Sequence, residues 1–204
     1  MRTNRTTFPA AEVIPESELA PLNLHEIFGR TAPLEVDLGC GDGTFLVALA
    51  SEFPARDFLG IERLPGRVRG SCRKMGRHKL ANARVLAFDI LRAVQQLLPR
   101  ESVTVFHLLF PDPWPKRRHE QHRVVTAEFL RAASRALQAD GELRIATDHA
   151  DYFSAMQRVV AEVPRLTVVP DLETATQATT FEERFRERGL EIHRLVLRKS
   201  SPVR

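Results

Sequence analysis

Residues 110–123 (FPDPWPKRRHEQHR) place one carboxylate, Asp112, between two prolines and shortly before the only tryptophan of the chain. Proline fixes φ and restricts the residue that precedes it, so Pro111 and Pro113 hold the backbone of Asp112 in a narrow range. A carboxylate held in this way can stabilise positive charge that develops on a reacting group. We therefore predict that Asp112 is catalytic, and that Trp114 either stacks on a base or is buried beneath the turn.

The turn leads into one of two basic blocks. Arg63–Lys79 holds seven lysines and arginines and no acid, and Lys116–Arg123 holds four with a single acid. One such block fits a solvated helix face equally well. Two blocks at one edge of the predicted sheet favour a surface that binds nucleic-acid phosphates. We expect Lys116, Arg118 and Arg123 to contact phosphate there.

A glycine-rich segment, DLGCGDGTF at residues 37–45, follows the first predicted strand. Gly39, Gly41 and Gly43 let the chain turn from strand to helix while a ligand approaches backbone N–H groups at the helix N-terminus. A dinucleotide fingerprint needs glycine at the position of Thr44, so the pattern argues against a pyrophosphate cofactor. Gly39 and Gly41 are the residues of this loop that we expect to bind a cofactor.

Acidic residues lie at the ends of the neighbouring strands. Glu62 ends the second strand about 20 residues further on, where a carboxylate suits two ribose hydroxyls. Asp89 follows the third strand and can accept a hydrogen bond from an adenine amino group, while Glu35 and Asp37 lie in the first strand. An acidic cleft suits a cofactor with a ribose, an adenine, an ammonium and a sulfonium. We infer S-adenosylmethionine, with NAD as the second choice.

The elements that position these residues alternate between strand and helix. Apolar runs predict strands at 34–38, 58–62, 83–88, 103–110 and 142–147, and helical periodicity follows four of them. Continuously apolar strands that alternate with helices indicate a parallel sheet covered on both faces, an α/β fold. Two more strand patterns, RLTVV and LEIHRLVL, close the chain around a predicted loop at 171–183. We expect an irregular N-terminal arm at 1–33 and a single domain at 34–204.

Bulk properties are those of an ordinary globular chain. The 204 residues are 43% hydrophobic and carry a net charge of +4, which mildly favours an anionic partner. No apolar run approaches the roughly 20 residues that span a bilayer, and the N-terminus lacks an apolar signal segment. The two cysteines show no metal-ligand spacing and are expected to be reduced thiols. We therefore expect a cytoplasmic protein, monomeric or homodimeric, with no metal and no membrane partner.

The chain resembles the bacterial tRNA (guanine-N7-)-methyltransferase family in six motifs. They occur in the family's order: EVDLGCGDG, FLGIE, RVLAFDI, LLFPDPWPKRRHEQHR, IATDHADY and TTFEER. The resemblance covers residues 34–188. The F-P-D-P-W-P-K-x-R-H run is specific to this family, whereas the glycine loop is common to class I methyltransferases. The resemblance implies a Rossmann-like, doubly wound sheet of seven strands with the last strand antiparallel, and methyl transfer from S-adenosylmethionine to tRNA.

The resemblance also implies roles for individual residues. Glu35, Glu62 and Asp89 match acids that contact the cofactor, and Asp112 matches an acid with both cofactor-side and catalytic roles. Positions assigned to the guanine or the RNA are matched by Lys116, Asp148, Thr179, Thr180, Phe181 and Glu182.

Two motifs depart from the family pattern. The family reads R-H-x-K-R-R where this chain has RHEQHR, so Gln121 and His122 replace fixed positive charges. It reads T-K-F-E or T-R-F-E where this chain has Thr180 in the second position. The losses are expected to weaken phosphate contact above the pKa of a histidine, near 6.5.

The implied reaction suits the predicted residues. Guanine N7 carries a lone pair and no proton, so it attacks a sulfonium methyl without a general base. Most of the acceleration then comes from holding donor and acceptor in line, which can supply about 7–11 kcal/mol. The N1–H and N2–H₂ groups of guanine are paired donors that one carboxylate can accept. Asp112, Asp148 and Glu182 are the candidates for that carboxylate. Because the deep major groove of A-form RNA hides N7, the target guanine must lie in an irregular region, and the family's target is in the variable loop.

Two other functions are consistent with the sequence. The D-P-W turn loosely resembles the D-P-P-[YW] turn of enzymes that methylate exocyclic amines of nucleic acids, although only one proline separates acid from aromatic here. A non-catalytic RNA-binding subunit with the same fold is the second. The acids at the strand ends argue against it.

Overall fold

One mixed sheet forms the centre of the computed structural model, which describes residues 11–171 and 191–200. Its strands are β1 (Glu12–Val13), β2 (Leu34–Leu38), β3 (Asp57–Glu62), β4 (Ala83–Ala87), β5 (Val103–Leu109), β6 (Leu137–Thr147), β7 (Leu166–Val169) and β8 (His193–Lys199). Across the sheet they lie in the order β1-β4-β3-β2-β5-β6-β8-β7. Strands β1 to β6 pair in parallel, and β8 is antiparallel to both β6 and β7.

Helices cover both faces of this sheet. They are α1 (Leu24–Phe28), α2 (Thr44–Glu52), α3 (Pro65–His78), α4 (Ile90–Arg92) with a π-helical continuation (Ala93–Leu97), a 3₁₀ helix (Arg117–His122), α5 (Ala127–Ala136) and α6 (Ala150–Val160). Helices α2 and α3 bury one apolar cluster against β3 and β4. The π-helical segment, α5 and α6 bury a larger cluster on the opposite face.

The doubly wound α/β fold predicted from the sequence is confirmed, including the antiparallel last strand. The seven expected strands are joined by an eighth, β1, which pairs in parallel with β4 at the sheet edge. It lies within residues 1–33, where an irregular arm was expected, and two residues are too few to show strand periodicity. Val13 and Leu22 of this segment are buried. Apart from Asp171, the loop expected at 171–183 lies outside the described residues.

The topology creates one crevice at the carboxyl edge of the sheet. Strand β2 is central, with β3 on one side and β5 on the other. The connections after β2 and β3 pass over one face, and those after β4 and β5 pass over the other. Ligands of open α/β sheets bind where the strand order reverses in this way. The loops after β2, β3 and β5 therefore define the place to look for a site.

Candidate active site

The glycine loop between β2 and α2 has a left-handed backbone at each of its glycines. Gly39, Gly41 and Gly43 have φ of 80°, 57° and 74°. The N–H groups of Gly39 and Cys40 donate to the carbonyl of Ile61 at 2.8 and 3.1 Å, so the loop is tied to β3. A Cβ added at Gly43 would lie 2.6 Å from the hydroxyl oxygen of Ser71. The loop therefore needs glycine both for its turn and for its contact with α3.

Glu62, at the end of β3, is hydrogen-bonded to the glycine loop. Its Oε2 accepts a hydrogen bond from the Gly41 N–H at 3.1 Å, and its Oε1 accepts one from the Leu64 N–H at 2.8 Å. Arg67 lies 3.7 Å away, and the carboxylate is only 5% exposed. Each carboxylate oxygen has two lone pairs, so one remains on each for a ligand hydroxyl. The geometry fits the ribose role predicted for Glu62.

Asp37, two residues before Gly39, is the most perturbed acid of the site. It is buried, and no hydrogen bond of its carboxylate is found among the described residues. Burial, and then the negative charge of Glu62, raise its pKa to about 7. Burial and the same two acids raise the pKa of the Cys40 thiol well above its usual range. The crevice therefore has an excess of negative charge that suits a cationic ligand group.

Glu35, which the sequence analysis assigned to the cofactor, is engaged by the protein itself. Its carboxylate accepts a hydrogen bond from Arg56 Nη1 at 2.6 Å and lies 2.8 Å from His107 Nε2. Burial raises the pKa of Glu35, but the hydrogen bonds and charges of His107 and Arg56 outweigh it and leave the pKa lowered. Asp37, rather than Glu35, is the acid of β2 next to the glycine loop. His107 itself is buried beside Glu35.

Asp89 lies at the carboxyl end of β4, beside Glu62. It is exposed, and its Oδ1 accepts a hydrogen bond from the Arg92 N–H at 3.1 Å, which caps α4. The Phe88 N–H donates to the carbonyl of Glu62 at 3.2 Å. Glu62 and Asp89 are thus brought to adjacent strand ends, the arrangement expected for ribose and adenine contacts.

The turn that carries Asp112 leaves the carboxyl end of β5 through two left-handed residues. Phe110 has φ of 52° and Trp114 has φ of 43°. Residues other than glycine adopt this left-handed conformation at a cost in free energy. The Phe110 N–H donates to the carbonyl of Ala146 at 2.8 Å, which fixes the start of the turn on β6. Asp112 itself is exposed. The strained turn lies at the end of β5, on the other side of β2 from the end of β3 that carries Glu62.

Arg123 is hydrogen-bonded to the backbone of this turn. Its Nε donates to the carbonyl of Pro113 at 2.9 Å and its Nη2 to that of Trp114 at 3.5 Å. Its guanidinium lies 5.0 Å from the ring centre of Tyr152, and its side chain is only 12% exposed. Sequence reasoning expected a phosphate contact, but the geometry makes Arg123 a positioning residue for the Asp112 turn.

The two histidines of the basic block Lys116–Arg123 lie against Trp114. The indole lies 5.8 Å from the ring of His119 and 5.0 Å from that of His122, and it is half-buried. Lys116 and Arg118 are exposed, and neither side chain forms a hydrogen bond or ion pair with a described residue. They remain available for phosphate. Trp114 packs on imidazoles rather than beneath the turn.

Asp148 completes the carboxyl edge of the sheet. It directly follows β6, the neighbour of β5, and it is exposed. The other predicted substrate residues (Thr179, Thr180, Phe181 and Glu182) lie outside the described residues. No group of three or more potential metal ligands occurs among the described residues. Within the same part of the chain, no helix is long and apolar enough to cross a membrane.

The fold and this site define a class I methyltransferase. Residues 31–195 match the model of a family described as a putative methyltransferase. The solved antibiotic-resistance methyltransferase Kmr has the same fold, with a TM-score of 0.64 over 93% of this chain and 96% of that chain at 17% identity.

Sequence relatives narrow this class to one family. A tRNA (guanine-N(7)-)-methyltransferase of Leifsonia xyli subsp. xyli is 41% identical over 187 residues, which are 87% of this chain and 81% of the relative. Another of the same name, from Nitrosomonas eutropha, is 34% identical over 198 residues, 92% of this chain and 85% of the relative. The chain belongs to the tRNA (guanine-N7-)-methyltransferase family, as its motifs predicted. With the family, S-adenosylmethionine is confirmed as the cofactor.

Proposed function

We propose that this protein transfers a methyl group from S-adenosylmethionine to N7 of a guanine in the variable loop of tRNA. The observation that carries the proposal is the Asp112 turn, which presents a carboxylate at the end of β5, next to the glycine loop at the end of β2. Family membership supports tRNA as the substrate, since the relatives are named tRNA (guanine-N(7)-)-methyltransferases.

The acids of the crevice fit the cofactor group by group. Glu62 keeps free lone pairs for the two ribose hydroxyls, and Asp89 keeps an oxygen for the adenine amino group. Asp37 has a buried carboxylate without a partner among the described residues, which suits the ammonium. We assign Asp37 this role in place of Glu35, whose oxygens contact Arg56 and His107. When bound, the cofactor supplies an electrophilic methyl group on its sulfonium.

The protein's part in the reaction is to align and to stabilise charge. The N7 lone pair forms the new N–C bond as the C–S bond breaks, and the S–C bonding pair leaves with S-adenosylhomocysteine. No proton has to move at N7, so no general base is required. Positive charge passes from sulfur to the guanine ring, where the fixed carboxylate of Asp112 stabilises it. Arg123 holds that carboxylate in place through the Pro113 and Trp114 carbonyls.

Substrate contacts are assigned to residues at the same edge. Lys116 and Arg118 contact phosphates, and Asp148 lies where a carboxylate can accept the N1–H and N2–H₂ of guanine. Glu182 stays a second candidate for that pair, with Thr179, Thr180 and Phe181 beside it. The rings of His119 and His122 contact Trp114 edge-on and at a tilt, and His122 does so at a position where the family has a cation. We place the protein in the cytoplasm, as a monomer or homodimer.

Methyl transfer from labelled S-adenosylmethionine to unmodified tRNA transcripts tests this function. We expect label in tRNA, recovered as 7-methylguanosine after digestion to nucleosides. Label in an exocyclic-amine product instead would identify the alternative enzyme. Binding of tRNA without binding of S-adenosylmethionine would indicate a non-catalytic subunit.

Glu62→Gln is expected to raise the Kd for S-adenosylmethionine by about 10–100-fold, because a charged hydrogen-bond acceptor is worth about 1.5–3 kcal/mol. The Gln amide would also place a donor opposite the donating N–H of Gly41 or Leu64. Isothermal titration gives the Kd. Glu162→Gln, an exposed acid just after the C-terminal end of α6, loses the same charge away from the carboxyl edge of the sheet and is the matched control. A Kd for Glu62→Gln equal to that of Glu162→Gln would contradict the ribose assignment.

A further inference from the structure

The outward face of α3 carries an arginine row, Arg69, Arg73 and Arg77. The helix buries Val68 and Met75 on its opposite side. All three arginines are exposed. Residues four apart lie on one face of a helix, about 6 Å apart along its axis, so the row extends over about 12 Å. The row thus presents a regular line of cations to solvent.

Nothing in the described part of the protein neutralises this row. Two cations of α3 do have partners: Arg67 lies 3.7 Å from Glu62, and Lys74 donates to Asp42. The side chains of the arginine row form no hydrogen bond or ion pair with a described residue. Like charges four residues apart destabilise a helix. The row therefore costs α3 stability and has no compensating contact within the described protein.

Two glycines of α3 lie between these arginines in the sequence. Gly70 follows Arg69 and Gly76 precedes Arg77, inside a helix where glycine is the least favourable residue after proline. A Cβ added at either would meet no atom within 4 Å, so internal packing does not require them. Glycine allows another chain to approach the helix backbone closely. Such approach between regularly spaced guanidiniums suits a repeating anionic polymer.

The surface is continuous with the active site. Helix α3 begins three residues after Glu62, and Lys74 links it to the glycine loop through Asp42 and Thr44. A groove between α2 and α3 has Lys74 and Arg77 on its α3 wall, with a single acid, Glu52, on α2. Strands β3 and β5 are separated by β2, or about 10 Å, so a large substrate engaged at Asp112 can also reach α3.

We propose that the arginine row of α3 binds phosphates of the tRNA substrate at a docking surface beyond the methylation site. The inference rests on the proposed function and adds a second contact region to it. Guanidiniums bind phosphate bidentately, and an RNA strand supplies phosphates at regular intervals. An acidic protein partner would explain the charge but not the glycines between the arginines.

The test compares tRNA binding by two triple variants over a range of salt concentrations. In the first, R69Q/R73Q/R77Q, we expect a 10–100-fold rise in Kd at about 0.1 M salt. The slope of log K against log salt should fall by about 2–3, because each lost phosphate contact removes about 0.7–0.9. The control, R131Q/R158Q/R165Q, removes three exposed arginines from α5, α6 and the turn before β7 and should bind like the wild type. Gly70→Leu should weaken binding and lower the slope although no charge is removed, because it keeps the RNA backbone from the arginine row.

Separate readouts distinguish the outcomes. S-adenosylhomocysteine binding and the unfolding midpoint report whether each variant is folded. R69K/R73K/R77K keeps the charges and should recover most of the salt slope. If wild-type protein methylates tRNA and R69Q/R73Q/R77Q binds tRNA like the control, the docking surface is refuted while the function stands. If wild-type protein methylates no tRNA, the function fails, and an unaltered salt slope would refute the docking surface as well.

Discussion

Asp112→Asn is expected to lower kcat for methyl transfer to tRNA by about 10²–10³-fold, the effect typical of removing one preorganised electrostatic group. The change keeps the shape of the side chain and the two flanking prolines. It removes the negative charge that stabilises guanine as positive charge passes to it. Single-turnover transfer from labelled S-adenosylmethionine, at saturating tRNA and cofactor, measures the chemical step.

A second variant and a stability measurement separate a catalytic role of Asp112 from a structural one. Arg123→Lys keeps a cation but loses the fork that spans the Pro113 and Trp114 carbonyls, so we expect a smaller loss of kcat, about tenfold. The unfolding midpoint of Asp112→Asn should stay near the wild-type value, since the exposed carboxylate forms no hydrogen bond with a described residue. A single-turnover rate within threefold of wild type would remove Asp112 from the reaction.

The fold and much of the site follow from local sequence patterns. The apolar strands and the glycine loop are contiguous, and the parallel topology brings every strand end to one edge. Glu62 and Asp89 could therefore be placed beside the loop from sequence alone. Asp112 and Asp148 follow β5 and β6, which the structure pairs as neighbouring strands.

Side-chain partners were harder to predict because they depend on contacts between distant segments. Glu35 and Asp37 are two residues apart on one strand and face the same side of the sheet. The period of the strand therefore cannot show which of the two contacts the cofactor. Only the structure shows Arg56 and His107 on Glu35. Arg123 counts as a surface cation in a charge pattern, but its partners are the carbonyls of a turn whose left-handed residues are not glycines.

The start of β6 differs from the sequence-based prediction because it also depends on contacts between distant segments. Helix α5 ends at Ala136, and β6 begins at once with Leu137, five residues before the strand predicted at 142–147. Leu137 pairs with Val103 across an irregular register, and Asp140 has φ of 59°. The strand therefore starts before the turn residues that appeared to precede it.

Asp37→Asn is expected to stabilise the cofactor-free protein above pH 7 while it weakens cofactor binding. Folding raises the pKa of Asp37 from 3.8 to about 7, through burial and then the charge of Glu62. The folded protein thus holds this proton more tightly than the unfolded chain. Its stability falls as pH rises from about 4 to about 7, and the penalty is fully present above 7. A pKa change of this size corresponds to at most about 4 kcal/mol.

Chemical denaturation at pH 5 and pH 8 measures the stability effect. The free energy of unfolding of Asp37→Asn should exceed that of the wild type at pH 8, and the difference should shrink at pH 5. Glu35→Gln is the contrasting variant, because the pKa of Glu35 is lowered and its charge is paired. That variant should lose stability at pH 8. A destabilised Asp37→Asn at pH 8 would show that the buried charge is compensated.

Cofactor binding should have the opposite response to pH. Ionised Asp37 pairs with the ammonium, so binding has to expel the proton below pH 7, and wild-type Kd should rise about tenfold between pH 8 and pH 6. Asp37→Asn should bind about 10–100-fold more weakly at pH 8, without this dependence. S-adenosylhomocysteine retains the ammonium and should show the same pH response, whereas 5′-methylthioadenosine lacks it and should not. Equal pH responses of these two ligands would place the ammonium elsewhere, because only a contact with Asp37 couples that group to its proton.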